Sequence, residues 1–171
     1  MGDLVKQKNR ELCERYPFLI PWNRWSGVLI TEAENGGFYP GDPETKVEYD
    51  WEFTELDSMP TGWRKAFGEQ MCEEIRQALI EDDDLDRWRI VQLKEKYGSL
   101  RLYDNGYKPG SRVPEIIDKY SRMSERICVR CGKPATRITT GWICPYCDEC
   151  CLDGRSVPID EWFKEDETDE W

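Results

Sequence analysis

The sequence predicts an α+β protein: a small mixed sheet, two or three amphipathic helices, and a C-terminal four-cysteine lobe of zinc-knuckle, treble-clef-like type. Three observations carry that prediction. Stretches with helical periodicity alternate with stretches of period two. Two C-x-x-C pairs fall within residues 128–150. Histidine is absent from all 171 residues, so any zinc site here is built from thiolates, alone or with a carboxylate.

Residues 3–16 read as a helix, with Leu4, Leu12 and Tyr16 on one face and Val5 and Cys13 beside it. Pro17 and Pro21 bracket the next segment and stop that helix. A short strand is predicted near residues 28–31, followed by a long Gly/Pro loop. Residues 46–53 alternate as a strand does. Val47, Tyr49, Trp51 and Phe53 form one face, and Glu48, Asp50 and Glu52 form an acidic opposite face. That row of like charge is either a solvated face that repels a neighbouring edge strand or an anionic ridge for a cationic partner.

Residues 59–80 carry a helical stripe of Trp63, Phe67, Met71, Ile75 and Leu79, with Cys72 alongside and Ser58 or Thr61 as cap candidates. Such a stripe is core packing, and Cys72 is a small core residue. The acidic run 81–86 opposes a helix dipole at its C-terminus, so it is read as loop. Residues 88–104 read as a hairpin turning at Tyr97-Gly98. Residues 111–127 form another helix, with Pro114 in its first turn and Ile116, Tyr120, Met123 and Ile127 on one face. The expected division is a core domain over 1–127, a zinc-binding lobe over 128–158 and an acidic tail over 159–171, which Trp162 and Phe163 could dock.

Charge is unevenly distributed about the net value of -11. Residues 1–86 hold nine Lys/Arg against twenty Asp/Glu, residues 87–137 thirteen against five, and residues 138–171 two against ten. A basic centre between acidic ends implies separate surfaces or an internal dipole. The polar opening residues do not suit a signal peptide, and eight cysteines in a reducing compartment point to metal before disulfides. The expected location is therefore the cytoplasm.

Cys128 and Cys131, followed by Gly132, have the spacing of a zinc knuckle. The second pair is either Cys144/Cys147 or Cys147/Cys150. Twelve residues separate Cys131 from Cys144 and fifteen separate it from Cys147, and tetrathiolate spacing favours the longer interval. A helical turn starting at Tyr146 or Cys147 would aim Cys147 and Cys150 at the knuckle. The set Cys128, Cys131, Cys147 and Cys150 around one structural Zn2+ is the prediction, with Cys144 and Cys151 as bystanders. Cys144-Pro145-Tyr146-Cys147 also has the form of a glutaredoxin active site, but no βαβ unit surrounds it.

The hairpin KEKYGSLRLY, the segment from Tyr49 to Ile75 and the two cysteine pairs together resemble a group of small phage and mobile-element proteins of gut-type bacteria. The resemblance spans about Tyr49 to Cys150. It implies that Cys144 is not a ligand position, since that position is often not cysteine in the group, whereas those of Cys128, Cys131, Cys147 and Cys150 are of metal-ligand type. The group carries no settled activity, so the resemblance supplies context rather than mechanism: a phage-type accessory protein in the host cytoplasm, many of which act against host defences.

Two partner classes follow. The first expectation is a non-enzymatic binding protein that offers acidic surface to a host protein with a cationic nucleic-acid groove, as an inhibitor of a CRISPR-type effector would. Its contacts would be Glu48, Asp50, Glu52, Asp82, Asp83 and Asp84, or the acidic tail. The alternative is a nucleic-acid-binding zinc-knuckle regulator using the basic block, with Lys94, Lys96, Arg101, Arg126 and Arg130 as contacts and Tyr97 and Tyr103 for stacking. Catalysis is not expected: there is no His, no phosphate-cradling Gly loop and no open metal position in the pattern.

Overall fold

The computed structural model describes residues 2–21, 51–152 and 154–166. Helix α1 (Gly2–Arg15) leads into a 3-10 turn (Pro17–Leu19), and a second 3-10 turn (Glu55–Ser58) precedes α2 (Thr61–Trp63). A π turn (Arg64–Gly68) then runs without a break into α3 (Glu69–Glu81). The hairpin β1 (Ile90–Lys96) and β2 (Ser99–Asp104) is followed by α4 (Val113–Ser124), β3 (Arg137–Thr139), β4 (Pro145–Tyr146), β5 (Ser156–Pro158) and α5 (Ile159–Asp166). Where one mixed sheet was expected, the described strands form two antiparallel sheets, ordered β1-β2 and β4-β3-β5, because α4 and the first knuckle separate the two sets along the chain. No described helix is long and apolar enough to cross a membrane.

The stripe on residues 63–79 is buried as predicted: Trp63, Phe67, Met71, Ile75 and Leu79 are all inside. A strict spacing of four drifts about 40° per step around a 3.6-residue helix. The π turn has more residues per turn, takes back part of that drift and keeps Trp63 and Leu79 on one core. Each fully buried aliphatic side chain there contributes about 1.5–3 kcal/mol relative to exposure. Val113, Ile116 and Tyr120 of α4, and Ile90, Leu93 and Leu100 of the hairpin, close the other sides. Phe18 meets Trp88 edge-on at 5.2 Å, and Phe67 stacks on Tyr120 at 5.4 Å.

Two helix faces differ from expectation. On α1 the inner side is Asn9, Cys13 and the following Tyr16, while Leu4 and Val5 stand in solvent. Asn9 satisfies its buried amide by donating to the Trp51 carbonyl at 2.7 Å. On α4 the last inward position is Ser124, not Met123. Its Oγ donates to the Ser121 carbonyl and accepts from the Leu100 N–H at 2.8 Å, fastening the hairpin to the helix.

Of the predicted strand over residues 46–53, only Trp51, Glu52 and Phe53 are described, and none is in a strand; Trp51 has φ of 64°, outside the β region. Residues 46–50 and the strand predicted near 28–31 lie outside the described residues. The Tyr97-Gly98 turn has φ of 54° and 79°, the signs a two-residue type I′ hairpin needs.

Residues 159–166, expected as acidic tail, form helix α5. Ile159 is buried, and its N–H donates to the Thr136 carbonyl at 3.0 Å. The Arg126 guanidinium lies 4.3 Å from the Phe163 ring centroid and 3.5 Å from the Asp160 carboxylate. The basic block therefore draws part of the acidic end back onto itself.

Candidate metal centre

The first knuckle begins where α4 ends. The Cys128 N–H donates to the Lys133 carbonyl at 2.8 Å, and the Gly132 N–H donates back to the Cys128 carbonyl at 3.1 Å. Gly132 has φ of 81°, a conformation glycine adopts at no steric cost. The second knuckle follows β4: the N–H groups of Cys150 and Cys151 both donate to the Cys147 carbonyl. The bond from Cys151 closes the single helical turn expected at Cys147, but the turn does not continue into a helix, and the next helix is α5, beyond β5. The two knuckles are tied by the Val129 N–H donating to the Pro145 carbonyl at 3.1 Å, and by Lys133 paired with Glu149 at 2.7 Å.

This scaffold brings the sulfurs of Cys128, Cys131, Cys147 and Cys150 within 4.8 Å of one another. Zn–S bonds of about 2.3 Å in a tetrahedron place sulfurs about 3.8 Å apart, so the donor set fits. The Cys131 and Cys147 sulfurs are 3.6 Å apart, far beyond a disulfide bond, and no disulfide joins the described cysteines. Burial pushes the Cys128 thiol up, but backbone amides of Cys147, Cys131 and Arg130 more than offset it and bring it to about 7. Burial, then hydrogen bonding with neighbouring sulfurs, pushes Cys150 up to about 12, and Cys147 is raised by the same causes. Cys128 thus gives up its proton more readily, while Cys147 and Cys150 hold theirs more tightly. A dication held by these four cysteines would supply the charge that lets the whole set ionise.

Cys144 is buried outside the cluster. Its thiol is pushed up to about 12, by burial first and then by the charge and hydrogen bond of the Glu95 carboxylate. Cys151 also stands outside the four-sulfur set. The register predicted from spacing is thus the one the fold assembles.

Spacing did not reveal how the knuckle is seated. The Gly62 N–H at the start of α2 donates to the Val129 carbonyl at 2.9 Å, and Trp63 Nε1 donates to the Ile127 carbonyl at 2.8 Å. A Cβ at Gly62 would lie 2.1 Å from the Cys128 carbonyl oxygen, and one at Gly132 would lie 2.6 Å from the Gly62 carbonyl oxygen. Backbone thus meets backbone, and only glycine fits. The available signal was a glycine one residue into a helix, where it costs about 1 kcal/mol against alanine and needs a reason.

The predicted partner residues do not gather into one site. Glu48 and Asp50 lie outside the described residues. Glu52 pairs with Lys6 at 3.3 Å. Asp82 is half-buried and accepts from Ser111 Oγ, while Lys108 donates to the carbonyls of Asp82 and Asp83. Asp84 is 3% exposed and held by a two-pronged pair with Arg87, so it braces the loop rather than offering an acidic face.

The basic residues are more coherent. Lys94, Lys96, Arg101 and Tyr103 share the outer face of the hairpin, with Lys94 opposite Arg101 and Lys94 Nζ 5.4 Å from the Tyr103 ring centroid. Arg130 stands exposed on the knuckle. Arg126 is engaged by α5. No family model, curated protein or solved structure matches this chain.

Proposed function

We propose that this chain is a zinc-stapled, non-catalytic binding module whose basic, aromatic face engages nucleic acid. One contrast supports the reading. Among the described residues, Arg87, Arg112, Lys119, Arg122, Arg126 and Lys133 of the basic block each pair with a carboxylate. Lys94, Lys96, Arg101 and Arg130 have no such ion pair among the described residues, and exposed Tyr97, Tyr103 and Trp142 stand near them. Unpaired cations release condensed counterions when they meet phosphates, and aromatics stack on bases. The zinc has a structural role: it would hold the knuckle that carries Arg130 against α2.

The test is fluorescence anisotropy of the zinc-loaded protein with labelled single- and double-stranded DNA and RNA at low and physiological salt. Micromolar or tighter binding is expected, with a log–log salt slope near -3 on single strands if four phosphates are met, at roughly -0.7 each. The triple substitution K94E/K96E/R101E should lower affinity and flatten that slope. Absence of binding at low salt would overturn the reading. The second reading is a phage-type accessory protein acting on a basic host-defence protein, an effector of CRISPR type among them. It draws on exposed Asp83 and Asp86 beside α3.

A further inference from the structure

The turn of the β1-β2 hairpin rests on the zinc lobe. A Cβ at Gly98 would lie 3.3 Å from the Ile143 side chain and 3.6 Å from Pro145 Cδ. Between this turn and the β3–β4 loop opens a cleft of about 360 Å³, lined by Glu95, Lys96, Tyr97, Gly141, Trp142 and Ile143. Its two aromatic rings are left in solvent: Tyr97 is 71% exposed and Trp142 76%. Trp142 also lines a smaller hollow with Arg130 and Leu152. Trp142 therefore lines both hollows, one together with Lys96 and the other together with Arg130.

Solvent exposure of large rings works against folding stability and solubility, and the backbone here is arranged to produce it. Tyr97 sits at φ of 54°, a left-handed conformation that disfavours a side chain, where Asn or Gly is the usual choice. The turn is braced: the Gly98 N–H donates to Glu95 Oε1 at 2.7 Å. That carboxylate also takes the hydrogen bond of the Cys144 thiol. The acidic group lining the cleft is thus engaged from within, while among the described residues neither Lys96 nor Arg130 pairs with a carboxylate, and Lys96 Nζ lies 5.3 Å from the Tyr97 ring centroid.

Resting on the nucleic-acid reading above, we infer that this cleft is a stacking site for an unpaired base of a single strand, with Trp142 and Tyr97 contacting the base and Lys96 and Arg130 the flanking phosphates. Flat aromatic faces between separated cations match a chain that alternates base and phosphate. Duplex, whose bases are already stacked, cannot use the rings in this way. The site therefore prefers single strands.

The experiment compares a labelled single-stranded DNA oligonucleotide with an abasic strand of equal length and charge, using wild-type protein and Trp142→Ala. Zinc content and thermal midpoint of the variant are checked first. The natural strand should bind wild type roughly tenfold more tightly than the abasic strand. Trp142→Ala should bring the natural strand down to the abasic level and leave abasic binding unchanged. Equal affinity of wild type for both strands, or an equal loss on both in the variant, would overturn the stacking site while leaving electrostatic binding intact. Failure of both strands to bind wild type at low salt would overturn the nucleic-acid reading together with it.

Discussion

At the scale of single residues, chemistry at this site follows from what each sulfur or carboxylate touches. Cys144 and Cys147 are three positions apart in a C-x-x-C pair, yet one thiol meets Glu95 and the other faces three thiols. Cys144→Ser should retain one zinc per chain, whereas Cys147→Ser should lose it, as read by native mass spectrometry. Asp84 gives a pH dependence of definite sign. Hydrogen bonds from Arg87 hold its carboxyl below the ordinary range, against the upward push of burial. Its contribution is fully present above the unfolded carboxylate value near 4, and is lost as pH falls through the lower folded value. Subtracting the urea stability of Asp84→Asn from that of wild type should give a flat difference above about pH 5 that declines in acid. A difference independent of pH would show that Asp84 acts through packing alone.

At the scale of elements, the decisive contact is α2 against the first knuckle. The helix starts with backbone N–H groups that have no partner within the helix. Gly62 gives its N–H to Val129, and the missing side chain lets the two backbones approach. Gly62→Ala drives a Cβ into the Cys128 carbonyl, so backbone must shift. The expected cost is about 3 kcal/mol, at the upper end of overpacking effects. Zinc affinity should fall in parallel, because the displaced residue carries one of the four clustered thiols. A calorimetric unfolding scan with a zinc competition titration checks both. An unchanged midpoint with weakened zinc would mean that the knuckle undocks without disturbing the core.

At the scale of the molecule, the four-cysteine lobe is seated on the core on two sides: by α2 at the first knuckle and by the hairpin turn at Ile143 and Pro145. Metal binding to such a lobe is folding free energy, on the order of 10 kcal/mol in isolated zinc fingers. Chelation should therefore release β3, β4, β5 and α5 cooperatively, while α3, α4 and the hairpin, which share their own core, keep much of their protection. Hydrogen exchange with and without EDTA measures this directly. Loss of protection across α3 as well would make core and lobe one folding unit.

The sequence by itself determined those features that neighbouring residues enforce. Which four sulfurs cluster followed from the separation of two C-x-x-C pairs, the hairpin from Tyr97-Gly98, and the buried stripe over residues 63–79 from its period. Each of these is fixed by covalent spacing and local backbone geometry. Tertiary structure alone decided which acidic and basic groups stand free. Asp84 and Lys94 look equally available in sequence, yet one is buried against Arg87 and the other has no carboxylate partner among the described residues. It also decided that Gly62 is a seat for the knuckle, that Ser124 ends the inner face of α4, and that α5 returns to Arg126. Each of these depends on residues distant in the chain meeting in space. Periodicity records whether a side chain is buried or exposed, but not which partner it meets.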